Sequence, residues 1–311
     1  MRVFFRSALC LFIATATSMI GCALFPQETQ EAQEAQEARE AQVPLRLLLA
    51  DGSTVEKEMD EYLLGVLAGE MPASFPEEAL KAQAVASRSY AAHALSTRKH
   101  GENTLCAQSC CQIYLTEEQC RNKWGADYDF YADKLRACIA ATEGQLLLYG
   151  EEAAEACFHA SSLGCTESSE DIWGRAVPYL VSVSSPESSE AVPRLITEVR
   201  FTPEELSAAL GGGKDGGIGQ YTRDAAGRVA AIELMGKRYS GGELRSLLGL
   251  RSTDFSVEYR DGVYIFTVNG YGHGVGMSQY GAKLMAEQGA TYREILAHYY
   301  PGTVLDTAFN T

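Results

Sequence analysis

An α+β fold is predicted, and three observations predict it. A hairpin signal stands at the start of the folded sequence, an Ala-rich helical run follows it, and a strand leads into a glycine block near the C-terminal end. The 311 residues are 46% hydrophobic and 22% charged, the composition of a globular chain and not of a disordered or collagen-like one. With Lys+Arg 26 against Asp+Glu 41 the net charge is -15. That balance excludes a general binder of nucleic acid or anionic membrane, because such partners need basic footprints.

Residues 1–22 read as an exported leader. Arg2 and Arg6 flank its start, an uncharged apolar run extends from Leu9 to Ile20, and Met19-Ile20-Gly21-Cys22 is similar to a bacterial lipoprotein cleavage box. The run is shorter than the roughly 20 apolar residues of a comfortable span. Two expectations follow, lipidation at Cys22 or an uncleaved membrane anchor, and both place the chain outside the cytoplasmic membrane of a bacterium. Residues 23–42 follow as a polar tether. Gln-Glu-Ala recurs from Gln27 to Gln42 with a period that keeps no helical face, and its glutamates carry part of the negative charge.

Folded sequence is expected over 43–306. Pro44 to Leu49, the turn signal Asp51-Gly52 and Thr54-Val55-Glu56 predict a β-hairpin. Glu61 to Leu67 predicts a short helix running out at Gly69-Glu70-Met71-Pro72. Pro76-Glu77-Glu78 then opens a long helix to about Leu95, its first turn favouring proline for its fixed φ and acids for the dipole. Glu70 therefore stands in a loop between two helices. Apolar neighbours would raise its carboxyl towards a general acid usable near neutral pH, whereas the bland alternative is a solvated helix-terminal glutamate. Lys81, Gln83 and Arg88 put polar groups on the second helix. Lys81 and Arg88, two turns apart, share a face that either stands beside Glu70 or meets solvent.

His100, Cys106, Cys110 and Cys111 cluster just before Gln112-Ile113-Tyr114. Three thiols and an imidazole suit a tetrahedral Zn²⁺ site, but the spacing matches no ordinary finger, so metal binding and disulfide chemistry both stay open. Of the nine cysteines, Cys10 and Cys22 belong to the leader, and the odd remainder leans towards metal. Cys120, Cys138, Cys157 and Cys165 are then left for disulfides or free thiols.

Cys138 to Tyr149 reads as a helix end, a turn and a strand. A second strand, Ala154 to Ala160, leads into His159-Ala160-Ser161-Ser162 and on to Thr166, a candidate site rim whose hydroxyls more commonly serve local hydrogen bonds. Residues of about 186–251 look like an inserted lobe. It comprises a strand, a helix opened by Thr202-Pro203, a glycine-rich stretch from Gly211 to Gly219, a strand from Arg228 to Leu234, and a helix capped by Ser240. The glycine-rich stretch carries Lys214 without the following Ser or Thr of a phosphate loop and is expected to be a flexible loop. After the strand Val263 to Val268, glycines alternate around His273 from Gly270 to Gly276, followed by Gln279 and Tyr280. Glycines at that density let backbone approach closely and permit positive φ.

This last block resembles the signature of the stage II sporulation protein D (SpoIID/LytB) family. The likeness extends to Gly69 to Ala86, Cys111-Gln112-Ile113-Tyr114, Phe158-His159-Ala160-Ser161-Ser162, Leu244 to Phe255 and Tyr299-Tyr300-Pro301-Gly302-Thr303, covering roughly 43–306. The resemblance implies a peptidoglycan lytic transglycosylase with Glu70 as acid and base. The bond cut is MurNAc-GlcNAc β-1,4, leaving 1,6-anhydroMurNAc ends. It implies that His159, Ser161, Ser162, Thr166, Tyr271, His273, Gln279 and Tyr280 position the sugar, with Lys81, Gln83 and Arg88 beside them. It also implies structural Zn²⁺ near His100, Cys106, Cys110 and Cys111, glycan stripped of stem peptides as substrate, and amidase and membrane partners of the sporulation engulfment machinery. No organic cofactor is implied. The alternative it carries is a non-catalytic wall-binding module that stimulates a peptidoglycan amidase. Two departures stand out, Cys110 where the family has His, and Gly164-Cys165 where it has a Gly-Gly pair.

Overall fold

The computed structural model describes residues 44–212 and 216–307, so the leader, the tether and Lys214 with Asp215 lie outside the described residues. Helices and strands are mixed as an α+β fold requires. The hairpin is present as β1 (Leu45–Leu48) and β2 (Thr54–Lys57), and helix α1 (Met59–Glu70) runs longer than expected, taking Glu70 as its last residue. Helix α2 (Glu77–Ser96), β3 (Thr104–Cys106), α3 (Glu117–Trp124), α4 (Tyr128–Ala140), β4 (Leu146–Tyr149), β5 (Glu152–Ala153), β6 (Phe158–His159) and α5 (Ser169–Trp173) follow. Of the second strand expected over 154–160, only Phe158 and His159 form a strand, β6.

The next stretch contains β7 (Ile196–Phe201), α6 (Pro203–Ala209), β8 (Ile218–Arg223), β9 (Val229–Leu234), β10 (Lys237–Ser240), α7 (Gly241–Leu248), β11 (Phe255–Arg260) and β12 (Val263–Asn269). Gly219, expected in a loop, lies in β8. The chain closes with β13 (Met277–Ser278), α8 (Gln279–Glu287), α9 (Tyr292–Tyr299) and β14 (Val304–Asp306). No helix among the described residues is long and apolar enough to cross a membrane.

Two cores organise these elements. The larger surrounds α2, whose run of alanines with Leu80 and Val85 is buried and is packed by α1, α4, α8 and α9. A helix covered on nearly all sides has no need of a polar stripe, and small side chains let four neighbours approach it. The smaller core joins Leu206, Leu210, Ile232, Leu244, Phe255 and Phe266, beneath the antiparallel sheets β10-β9-β8 and β11-β12-β7. This core reaches Val268, further along the chain than the 186–251 stretch that composition sets apart. Parallel pairing of β13 with β6, Met277 opposite Phe158 and Ser278 opposite His159, brings the glycine block against the His159 strand.

Candidate functional site

The C-terminal end of α1 is the starting point. Lys123 donates to the Ala68 carbonyl at 2.7 Å, and Lys134 donates to the Phe75 carbonyl at 2.6 Å, so cations satisfy backbone groups behind Glu70. Along α1, Gly65 and Gly69 leave a side-chain-free track on which residues 113–115 lie. A Cβ at Gly69 would sit 2.5 Å from the Ile113 carbonyl oxygen. Leu115 N–H donates to the Gly65 carbonyl at 3.0 Å, and Ile113 N–H donates to Glu70 Oε1 at 2.5 Å. Burial pushes the Glu70 carboxyl above the usual carboxylate range, and the Ile113 N–H opposes this only in part.

Glu70 lines a cavity of about 560 Å³ with Tyr90, Lys99, Phe158, Trp173 and His273. Glu155 and Arg175 face it as an ion pair at 2.5 Å. A second cavity of about 890 Å³ also has His273 in its lining, with Ile172 and Tyr271 on its wall. The His273 and Trp173 rings lie 5.4 Å apart between centroids. His273 Nδ1 accepts from Val275 N–H at 3.0 Å, which leaves the ring proton on Nε2. Burial first, then the charge of Arg245, lowers its pKa to about 4, so His273 is neutral at physiological pH.

The remaining candidates divide. Tyr271 and His273 line a cavity. His159, Ser161, Ser162 and Thr166 do not present themselves as a rim, for all are buried. The His159 ring is tied at both nitrogens, Nδ1 to the Val275 carbonyl at 3.2 Å and Nε2 to Ser162 Oγ at 2.6 Å. The carbonyl can only accept, so Nδ1 carries the proton and Ser162 donates to Nε2. Ser162 Oγ in turn accepts from Arg228 Nη2 at 2.9 Å, and Arg228 Nε pairs with buried Glu167 at 2.8 Å. Desolvation holds His159 well below its ordinary pKa. Ser161 pairs through its backbone with Tyr271, and Thr166 Oγ1 accepts from Val183 N–H at 2.9 Å.

The face expected to carry Lys81 and Arg88 towards Glu70 is turned elsewhere. Lys81 pairs with Glu78 at 2.8 Å. Arg88 is buried and donates to the Thr142 carbonyl at 2.7 Å, filling the C-terminal end of α4, with Asp60 at 3.4 Å. Gln83 and Gln279 are buried against each other at 3.3 Å, and Tyr280 packs edge-on to Phe75. The glycine block explains its composition by contact. A Cβ at Gly276, where φ is 71°, would lie 2.0 Å from the Cys157 carbonyl oxygen. At Gly274 it would strike the Arg228 guanidinium at 2.7 Å.

His100, Cys106, Cys110 and Cys111 do converge, their ligand atoms all within 4.8 Å of one another. The Cys106 and Cys110 sulfurs approach each other, but their Cα atoms stand 7.1 Å apart, beyond the span a disulfide ordinarily bridges, so the two suit a shared cation better than a bond to each other. The donor set fits a four-coordinate soft cation. Lys99 and Tyr90 hold the Cys110 carbonyl, so the cluster and the Glu70 cavity share a wall.

Sequence reasoning passed over Gln112, Glu187 and Arg228. Gln112 is buried under α1 and donates to Tyr62 Oη at 3.1 Å, and Glu187 accepts from Ser162 N–H at 2.9 Å. Each is a polar residue whose signal is only its lack of solvent, which one sequence does not display.

Comparisons with known proteins agree on one group. The family model described as Stage II sporulation protein matches residues 52–149. The chain is 38% identical to Stage II sporulation protein D of Bacillus amyloliquefaciens, covering 80% of this chain and 74% of that one. It is 36% identical to Stage II sporulation protein D of Bacillus subtilis (strain 168), covering 83% and 77%. It is also 28% identical to the Amidase enhancer of Bacillus subtilis (strain 168), over 78% of this chain and 40% of that protein.

Proposed function

The chain belongs to the stage II sporulation protein D family, and from that premise we propose that it is a lytic transglycosylase of peptidoglycan with Glu70 as its acid and base. The observation that carries this reading is a carboxyl whose pKa burial raises, set on a cavity wall with its Oε1 fixed by Ile113 N–H. Protonated, Glu70 donates to the glycosidic oxygen between MurNAc and GlcNAc as that bond breaks. Ionised, it accepts the proton of the MurNAc C6 hydroxyl, which attacks the anomeric carbon and leaves a 1,6-anhydro end. One carboxyl serves both steps, so no second is required as base or nucleophile. Glu155 on the same cavity is engaged by Arg175, consistent with that economy.

Zn²⁺ at His100, Cys106, Cys110 and Cys111 would supply a structural cross-link between the strand β3 region and the loop that carries Ile113. The natural setting of such an activity is the outer side of the cytoplasmic membrane, in wall remodelling during engulfment, with the leader as lipid or peptide anchor. Glu70→Gln should abolish release of anhydro-ended products from purified sacculi while the melting temperature stays near that of the wild type. Undiminished release would sink the assignment.

A second reading is favoured by the relative named Amidase enhancer, namely a wall-binding protein that stimulates an amidase. Glycan binding with no anhydro product, together with a rise in the rate of an added amidase, would select it.

A further inference from the structure

Hydrogen-bond donors dominate the wall of the 890 Å³ cavity. The first turn of α7 opens onto it, for Ser240, Gly241 and Gly242 all line it. Ser240 Oγ caps the Glu243 N–H at 3.1 Å, and the N–H groups of Gly241 and Gly242 stand at the positive pole of the same turn. A Cβ at Gly242 would meet nothing within 4 Å, so the backbone there is open to the cavity. At Gly241 a Cβ would lie 3.5 Å from that of Thr253, which sets Thr253 beside the helix mouth. Thr253 lines the same cavity, is 7% exposed, and its hydroxyl has no hydrogen-bond partner. Arg194, Arg245 and Arg251 complete the wall, and among the described residues none of the three forms an ion pair with a carboxylate. Arg251 Nε is buried with no partner, and the face of its guanidinium lies over the Tyr271 ring, 4.3 Å from the centroid. Two carboxylates share the lining and are engaged locally, Asp171 accepting from Ser168 Oγ at 2.7 Å and Asp224 from Arg228 N–H at 2.8 Å. With His273 neutral, three arginines against these two acids leave one positive charge in excess.

We infer that this cavity is a binding site for a phosphodiester, seated at the mouth of α7 with Arg245 and Arg251 on its oxygens and the Thr253 hydroxyl as a further donor. The inference is independent of the reading of Glu70 and stands or falls without it. Two features select the ligand. Backbone N–H groups, guanidinium forks and a hydroxyl approach from different elements, which suits the tetrahedral spread of oxygens on phosphorus, whereas a planar carboxylate is satisfied by one arginine fork. The single excess charge matches the single charge of a diester better than the nearly doubled charge of a monoester. Unpaired cations withdrawn from water are costly, and a chain of net charge -15 has acids to spare for them, so leaving these arginines open to a cavity reserves them for an anion from outside. The same diester between two glycerols occurs in soluble polyol-phosphate polymers and in an anionic lipid headgroup, so glycerophosphoglycerol is the chemistry the two sources share.

The test is calorimetric titration of the full chain with glycerophosphoglycerol, beside glycerol, acetate and glycerol 3-phosphate. The diester should bind about tenfold more tightly than acetate, and glycerol should not bind. Arg245→Gln with Arg251→Gln should weaken the diester about tenfold or more. Thr253→Val should weaken it about fivefold while the melting temperature holds at or above that of the wild type, because the hydroxyl has no bond to lose in the free protein. A fall in melting temperature with unchanged affinity would show the hydroxyl to be structural only and would remove it from the site. In the wild-type chain saturating diester should raise the melting temperature, and added sodium chloride should shrink that rise, a readout that needs no variant. Acetate or glycerol 3-phosphate binding as tightly as the diester would overturn the assignment, as would full affinity in the folded double arginine variant. Capture of soluble poly(glycerol phosphate) would place the diester in a polymer, and sedimentation with phosphatidylglycerol vesicles would place it in a headgroup. Binding to neither would overturn the site as a receptor for this diester.

Discussion

At Arg88 a charged side chain is buried in the larger core because its guanidinium meets the carbonyls of Ile139, Thr142 and Gln145. They lie at and just beyond the C-terminal end of α4, where a cation is favoured, and the Ile139 and Thr142 carbonyls also accept from the N–H groups of Thr142 and Gln145. Arg88→Ala would remove these charge-assisted bonds and leave a gap in the core, so a loss of about 2–4 kcal/mol is expected in urea unfolding. A loss near zero would mean that the carbonyls find other donors. Glu70 was legible from its neighbours, since Gly69 and Met71-Pro72 place it at a helix end beside apolar surface. His159, Ser162 and Thr166 were not. A histidine and hydroxyls at a strand end look the same in sequence whether they face a cleft or close a buried network with Arg228, and the partner that decides it lies 66 residues from Ser162. Tyr271 and His273 line a cavity while the glycines flanking them, Gly270, Gly272 and Gly274, let the backbone press on Ser161, His159 and Arg228.

Among the elements, α1 and the 113–115 segment form the seam on which the Glu70 geometry depends. Gly69→Ala would push the Ile113 carbonyl by a few tenths of an ångström or more, and the N–H of the same residue is the one that holds Glu70. Overpacking of this kind costs about 1–3 kcal/mol. Glycan cleavage by Gly69→Ala should therefore fall well beyond what its melting temperature alone explains, and an unchanged rate would separate the seam from the chemistry. The same segment leaves Cys111 two residues before Ile113. Removing metal with a chelator should lower both the melting temperature and the cleavage rate, with recovery on adding Zn²⁺. His100→Ala should lower the bound zinc measured by atomic absorption; full stability in chelator would argue that the cluster holds no cation. The capped helices were readable from sequence, as in the reciprocal Ser240 and Glu243 contacts of α7. The shortening of the strand over 154–160 to Phe158 and His159 was not, because its pairing with β13 is set by residues more than a hundred positions away.

For the whole molecule, opposed titrations shape stability. His159 and His273 resist protonation when folded, so the unfolded chain binds more protons below its ordinary 6.5, and stability falls as pH drops towards the folded value, about 4 for His273. Glu70 and Glu167 hold their protons more tightly when folded. Burial carries Glu167 up to about 8 against the pull of Arg228, so their contribution is complete below the ordinary 4.5 and is lost as pH rises through the folded values. The two effects oppose between 4.5 and 6.5. Melting temperature measured from pH 4 to 9 should peak in the mildly acidic range, and a maximum above pH 8 would contradict these environments. The α+β class was legible, but not the extent of the smaller core to Val268, since β11 and β12 look like any hairpin until β7 pairs with β12. Arg228, next to Val229 of the smaller core, meets Ser162 and Glu167 in the space that Gly274 leaves. The two halves are consequently not interchangeable parts. A chimera that took the smaller core from a distant relative would inherit a stranded cation or a stranded acid unless positions 162, 167, 228 and 274 travelled with it, so these four are bound to change as one hereditary unit.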